Sequence, residues 1–302
     1  MRNSKDSAKN IIDNFIKILK QDGFEISEPQ IAQFSYQADI TGSDGKIKLL
    51  VYFGKKGNKV VLQGNKDLNL YQELNHKIFG AQLFNNVKNS VTEPDIYIGT
   101  DESGKGDYFG PLVVASVFTD PSFSEKLRIL GVRDSKELTD QAISALAPKI
   151  KKLEGCVFDL IVINPEKYNI LYNKMGNLNS MLGWAHSRAL ENVLAVKFAH
   201  EAISDKFGNE KYIRNALQEK GKDLLLHQVI KAEKYIAVAA ASILARDSFN
   251  RWFINVNKKM KLQLPKGASN IVEKKAKEIK NKYGDEVLNK LVKLHFKTTK
   301  KI

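Results

Sequence analysis

The sequence predicts an α/β domain with a smaller α+β unit ahead of it. Three observations carry this reading. The chain has 302 residues, about twice the length of a typical domain. A polar stretch over residues 85–94 (Asn-Asn-Val-Lys-Asn-Ser-Val-Thr-Glu-Pro) has the composition of a linker. From residue 95 onward, apolar runs of strand length alternate with long helical stretches, which is the pattern of an α/β domain. The expected division is therefore 1–84, linker 85–94, and 95–302.

The elements follow in order. Residues 7–22 repeat Ile11, Ile12, Phe15, Ile16 and Leu19 at helical spacing, with Gly23 as the stop. Residues 33–40 alternate loosely, and Thr41-Gly-Ser-Asp-Gly is a turn cluster. Residues 46–53 and 59–63 read as a hairpin around Gly54-Lys-Lys-Gly-Asn. Residues 67–84 read as a helix, with Leu70, Leu74, Ile78 and Leu83 on one side. In the second unit, Ile96-Tyr-Ile-Gly-Thr-Asp is a short strand that ends in acidic residues. The run 110–118 is almost continuously apolar, as in a strand buried on both faces. A helix is predicted over 136–152 with Thr139 as its cap, and a buried strand over 156–163. A long helical stretch covers 179–204, a short strand 224–230, and an alanine-rich helix 237–253. A Lys-rich helix is expected over 271–283.

Composition narrows the function. One cysteine, Cys156, excludes an intrachain disulfide, and a reducing, cytoplasmic setting is expected. One cysteine and five histidines argue against a structural zinc site. No apolar run approaches the roughly 18 residues of a membrane span, and the first residues lack a secretory signal. No membrane partner is expected. The net charge is +14, and residues 251–302 carry 15 basic against 4 acidic residues. A basic excess this concentrated favours a polyanion such as nucleic acid.

Against that background Asp101-Glu102 stands out. Carboxylates at a strand end can reach a shared cation, and such hard oxygen ligands suit Mg²⁺ or Mn²⁺. Taken alone, an Asp-Glu pair also reads as a solvated acidic turn. Ser103-Gly104-Lys105-Gly106 follows, and its glycines let the backbone come close to a ligand. The spacing is not that of a P-loop, which disfavours nucleoside triphosphate binding. Asp205, at a strand end, and Glu233, before the alanine-rich helix, each read singly as surface charge. Together with Asp101 and Glu102 they complete a four-carboxylate set that would repel itself without a cation. Asp134-Ser-Lys reads as a helix cap or as a contact to the substrate backbone, Ser242 and His186 as packing residues, and Lys105 as a phosphate contact or a solvated turn lysine.

The segment Asp101-Glu-Ser-Gly-Lys-Gly-Asp-Tyr-Phe-Gly-Pro-Leu resembles the signature of the type 2 ribonucleases H, and its Tyr-Phe-Gly-Pro continuation that of bacterial ribonuclease HIII. Further matches follow in order: Val132-Arg-Asp-Ser-Lys-Glu-Leu, Asn177-Leu-Asn, Trp184-Ala-His, Ser204-Asp-Lys-Phe, Ala232-Glu-Lys, Ala239-Ala-Ala-Ser-Ile-Leu-Ala-Arg and Leu294-His-Phe-Lys-Thr. The resemblance spans residues 95–299.

The resemblance implies an RNase H-like catalytic domain, a mixed sheet flanked by helices, behind a small TATA-binding-protein-like domain that helps hold substrate. It implies an endonuclease, expected to be a monomer, that cuts the RNA strand of RNA–DNA hybrids with two Mg²⁺ or Mn²⁺ ions. Asp101, Glu102, Asp205 and Glu233 would be the metal ligands, with Asp101 bridging both ions. Ser103, Gly104, Lys105 and Gly106 would contact substrate, the glycine-rich segment reading 2′-hydroxyls. The products would carry 5′-phosphate and 3′-hydroxyl ends. The sister ribonuclease HII group places a tyrosine after a glycine in its C-terminal part, whereas this chain reads Leu264-Pro-Lys-Gly-Ala there. Runs of ribonucleotides are therefore the expected substrate, and cleavage at single embedded ribonucleotides is the alternative. A nucleic-acid-binding protein without catalysis is a third reading, against which the four carboxylates speak.

Overall fold

The computed structural model describes residues 2–54, 58–65, 67–75, 77–78 and 92–302. Contacts divide the chain into two compact units, Met1–Ser90 and Val91–Ile302. In the first, helix α1 (Arg2–Gln21) turns Ala8, Ile12, Ile16 and Leu19 onto an antiparallel sheet. That sheet comprises β1 (Glu25–Ile26), β2 (Gln30–Ile31), β3 (Ser35–Gly42), β4 (Gly45–Tyr52) and β5 (Lys59–Gln63), in the order β1-β3-β4-β5 with β2 also on β3. Ile40, Ile47, Leu49 and Val51 complete the core with Leu70 and Leu74 of α2 (Asn69–Asn75). Residues 55–57 of the expected hairpin turn, 79–84 of the expected helix and 85–91 of the expected linker lie outside the described residues.

The second unit is built on a mixed five-stranded sheet. Its strands are β6 (Tyr97–Ser103), β7 (Leu112–Thr119), β8 (Phe158–Ile163), β9 (Glu201–Asp205) and β10 (Leu225–Val229), in the order β10-β9-β6-β7-β8. β6, β9 and β10 run parallel, and β7 pairs antiparallel with both β6 and β8. The other elements are α3 (Pro121–Ile129), α4 (Asp140–Lys152), α5 (Pro165–Met175), α6 (Leu178–Leu194), α7 (Lys211–Arg214), α8 (Ile236–Met260) and α9 (Asn270–Asn289). Both faces of the sheet are covered. Val113, Ala115 and Val117 of β7 pack in one cluster with α4 and α8, while Leu112 and Val114 pack with Met181, Leu182 and Ala185 of α6. Burial on both sides is why the run reads as continuously apolar.

Gly99 sets how closely α8 approaches. A Cβ there would overlap the backbone of Ala237 and Val238. The alanines at 237 and 239–241 are the matching device on the helix, leaving its first turns flush against β6. The start of α8 is held by Glu93, whose carboxylate accepts from the Ile236 N–H (3.1 Å) and the Tyr97 hydroxyl (2.6 Å).

The helical stretch expected over 179–204 is corrected: α6 stops at Leu194, and Glu201–Asp205 forms β9. Pairing of this segment with β6 on one side and β10 on the other wins over the helical pattern there, and Val196 and Phe198 are left exposed in the connection. α3 and α5 were not expected, although Pro165 at the first turn and left-handed Gly176 at the end mark α5. Thr139 caps α4, as its position indicated. α9 extends beyond 283 across a break at Gly284 (φ +82°). Among the described residues, no helix is long and apolar enough to cross a membrane.

Candidate active site

Strand pairing assembles the acidic residues. The parallel register sets Thr100 opposite Ser204, so Asp101 and Asp205 occupy the next level of adjacent strands. Asp205 is also in register with Val229 of β10. The chain then turns through a left-handed Lys231 (φ 56°) into a 3-10 turn, Ala232–Lys234, which carries Glu233. The Ala232 N–H donates to Asp205 Oδ1 (3.2 Å), tying that turn to the end of β9.

Alternation along β6 points its two carboxylates to opposite sides. Asp101 is 7% exposed and hydrogen-bonded by Ser242 of α8. Glu102 turns toward α6, where its Oε2 lies 3.2 Å from His186 Nε2. Asp101, Glu102, Asp205 and Glu233 line one cleft together with Ser103, Gly104, Lys105 and Gly106. Gly104 has φ +86°, and a Cβ on it would overlap the Pro111 carbonyl, so this turn admits only glycine. Lys105 leaves the turn to pair with Glu102 Oε1 (3.3 Å), with its ammonium 5.5 Å from the Phe207 ring centre. Lys105 thus keeps substantial exposure while pairing with Glu102.

The turn beyond is braced from the far end of the unit. Asp107 Oδ1 accepts from the Gly267 N–H (2.6 Å), and the buried Lys293 donates to the Asp107 carbonyl (2.7 Å). Burial pulls the Lys293 ammonium down to about 7.

The electrostatics are those of crowded anions. Burial first, and the Glu102 charge second, push the Asp101 carboxyl well above the usual range. Burial also raises Asp205, with the Glu233 and Glu102 charges adding to it. Burial opposes ionisation of Glu102 too, but the donors His186 and Lys105 outweigh it and hold that group below its ordinary value. Glu233, 5% exposed, is paired with Lys136. Among the described residues, no three His, Cys, Asp or Glu side chains form a ready-made metal cage. The carboxylates instead ring the cleft, with Glu102 and Glu233 held by protein cations.

Several residues at the cleft were read differently from sequence. Asp134 does cap, accepting from the Lys136 N–H (2.9 Å), but the next two residues reach into the site. Ser135 Oγ meets Ser242 Oγ (2.8 Å), and Lys136 meets Glu233. Ser242 and His186, read as packing residues, are buried and also touch carboxylates. Arg246 lines the cleft as well and donates to the Ser135 carbonyl. Each of these residues lies in a segment that carries the family resemblance, but composition and periodicity do not give its role, because only tertiary packing brings it to the carboxylates.

Comparison with known proteins agrees with this architecture. A family model described as Ribonuclease HII matches residues 98–299. The chain is 37% identical to a ribonuclease HIII of Protochlamydia amoebophila over 291 residues, covering 95% of this chain and 92% of the relative. It is 38% identical to a ribonuclease HIII of Chlamydia pneumoniae over 286 residues, 93% and 91% of the two chains. Among solved structures it resembles Bst-RNase HIII in complex with Mn²⁺ (TM-score 0.63, 28% identity, 95% and 94% covered). It also resembles Aquifex aeolicus RNase H3 (TM-score 0.55, 28% identity, 95% and 96% covered). With likeness of this extent on both sequence and fold, the chain belongs to the type 2 ribonucleases H, on the ribonuclease HIII side of that family, and is an RNA-cleaving hydrolase.

Proposed function

We propose that the enzyme hydrolyses the RNA strand of RNA–DNA hybrids internally, using divalent cations held by Asp101, Glu102, Asp205 and Glu233. One observation carries this reading. Four carboxylates from separate parts of the chain line a single cleft beside a glycine turn, and burial with mutual repulsion raises two of them. Such a set fits hard divalent cations, which relieve the repulsion. Bound there, Mg²⁺ or Mn²⁺ supplies an activated water and neutralises charge on the leaving oxygen, two ions being the usual arrangement for phosphodiester hydrolysis. The Mn²⁺ complex of the similar Bst-RNase HIII supports the choice of metal.

The chain's own residues do the rest. Ser242 and the Glu102 N–H orient Asp101, and the Ala232 N–H orients Asp205. Lys136 and Lys105 pair with the cleft carboxylates Glu233 and Glu102 and, with Arg246, are the cations lining the cleft that could meet a phosphate. The turn Ser103–Gly106 offers backbone groups to ribose 2′-hydroxyls, the feature that separates RNA from DNA. The products are 5′-phosphate and 3′-hydroxyl ends.

The deciding experiment incubates the full chain with a labelled RNA–DNA hybrid, and with a DNA duplex holding one ribonucleotide, each with Mg²⁺, Mn²⁺ or chelator. We expect metal-dependent internal cuts in the hybrid and slow or no cutting of the second substrate. An uncut hybrid in both metals would refute the reading. Faster cutting at the single ribonucleotide would replace it with the junction-cleaving alternative.

Residues 1–84 are assigned to holding the hybrid, and 95–302 to catalysis, on the family resemblance. Deleting 1–84 is expected to raise the hybrid Kd more than it lowers kcat at saturating substrate. Equal affinity of the truncated and full chains, measured by fluorescence anisotropy, would remove that role.

A further inference from the structure

We propose that His186 is a positioning residue that fixes the Glu102 carboxylate for metal binding. This rests on the reading of Glu102 as a metal ligand. His186 is fully buried in α6, yet both of its ring nitrogens are engaged. Nε2 lies 3.2 Å from Glu102 Oε2 and, facing a carboxylate, is the nitrogen that donates. Nδ1 lies 2.8 Å from Thr100 Oγ1. Thr100 sits one residue before Asp101 on β6, and its hydroxyl is also 2.8 Å from the Ala115 carbonyl of β7. The Glu102 side chain is thus referenced through His186 and Thr100 to the backbone of the central strand pair.

The ring plane is fixed as well. His186 stacks on Phe207 at 5.0 Å and 17°, and Phe207 follows Asp205 by two residues. The same Phe207 ring receives the Lys105 ammonium. Any buried imidazole needs partners for its ring nitrogens, and here one of the two partners is the carboxylate proposed to hold metal. Here a long, flexible acid is held by one oxygen, Oε2, and the other, Oε1, is met among the described residues only by the partly exposed Lys105. Oε1 is therefore the oxygen free to turn to a cation once Lys105 moves to a phosphate. Partners that orient a ligand in this way are typically worth about 10–100-fold in metal affinity.

The test is isothermal titration of Mn²⁺ into the full chain without nucleic acid. His186→Phe keeps the stacking ring and loses the donor. We expect it to weaken Mn²⁺ binding about 10–100-fold, to leave hybrid affinity in chelator unchanged, and to regain cleavage at raised Mn²⁺. His186→Gln, which keeps an N–H, is expected to recover part of the affinity. Thr100→Val, close to isosteric on the strand, is expected to cost roughly threefold to tenfold, and it decides the matter if the phenylalanine variant does not fold. Mn²⁺ affinity within twofold of the parent in a folded His186→Phe chain, or in Thr100→Val, overturns the proposal. A parent chain that binds Mn²⁺ but leaves the hybrid uncut refutes the substrate assignment alone, and the variant affinities still decide the role of His186.

Discussion

Asp101→Asn is expected to reduce hybrid cleavage on the order of a thousandfold or more, while hybrid binding in chelator stays close to that of the parent. The side chain keeps its size and its place between Ser242 and the Glu102 N–H, so the loss is one of charge. The same substitution has a second readout. Burial, and then the Glu102 charge, raise the folded-state carboxyl above its unfolded value. The folded protein therefore holds a proton that the unfolded chain has already released, and metal-free stability falls as pH rises above about 4. Asparagine removes that penalty. Thermal melts in chelator should show the variant gaining on the parent as pH increases from 4 toward neutrality. Mn²⁺ should raise the parent's Tm and leave the variant's almost unchanged. Cleavage within tenfold of the parent, or an equal Mn²⁺ shift in both proteins, would remove Asp101 from the metal site.

Gly99→Ala is expected to be strongly destabilising for the addition of a single methyl group. The added Cβ would meet the carbonyl carbon and oxygen of Ala237 and the nitrogen of Val238. These are backbone atoms of α8, so no rotamer change relieves the overlap, and strand and helix must separate. Overpacking of this kind costs on the order of 3 kcal/mol, or about 6–12 °C in Tm for a unit of this size. Gly106→Ala is the control, because a Cβ there meets nothing within 4 Å; its Tm should hold while its KM for the hybrid rises. A Tm for Gly99→Ala within 2 °C of the parent by calorimetry, roughly what a neutral surface change gives, would show that the close approach is not needed.

Much of the catalytic unit was legible because its signals are local. The apolar run of β7, the Asp-Glu pair closing β6 and the alanines of α8 each state their environment in one short segment. The four carboxylates were recognisable only as a set, through the order of motifs along the chain. What escaped was decided by packing. The end of α6 looked helical through Ala195-Val-Lys-Phe because nothing local announces the ladder that claims Glu201–Asp205. His186 reads as one more buried position on α6, and only the neighbouring strand turns its ring into a contact for Glu102. Lys136 likewise sits beside a cap, and only the fold brings Glu233 to it.

The pairing of β6 with β9 has a consequence for the enzyme's own biosynthesis. A ribosome delivers the chain N-terminus first, so Asp101 and Glu102 emerge well before Asp205, Glu233 and the Lys293 that braces the neighbouring turn. Until the later segments fold back onto the earlier strand, a nascent polypeptide carries an acidic strand without the rest of its cutting apparatus. The acidic cleft can therefore close only after residue 233 has left the ribosome, late in the synthesis of the chain.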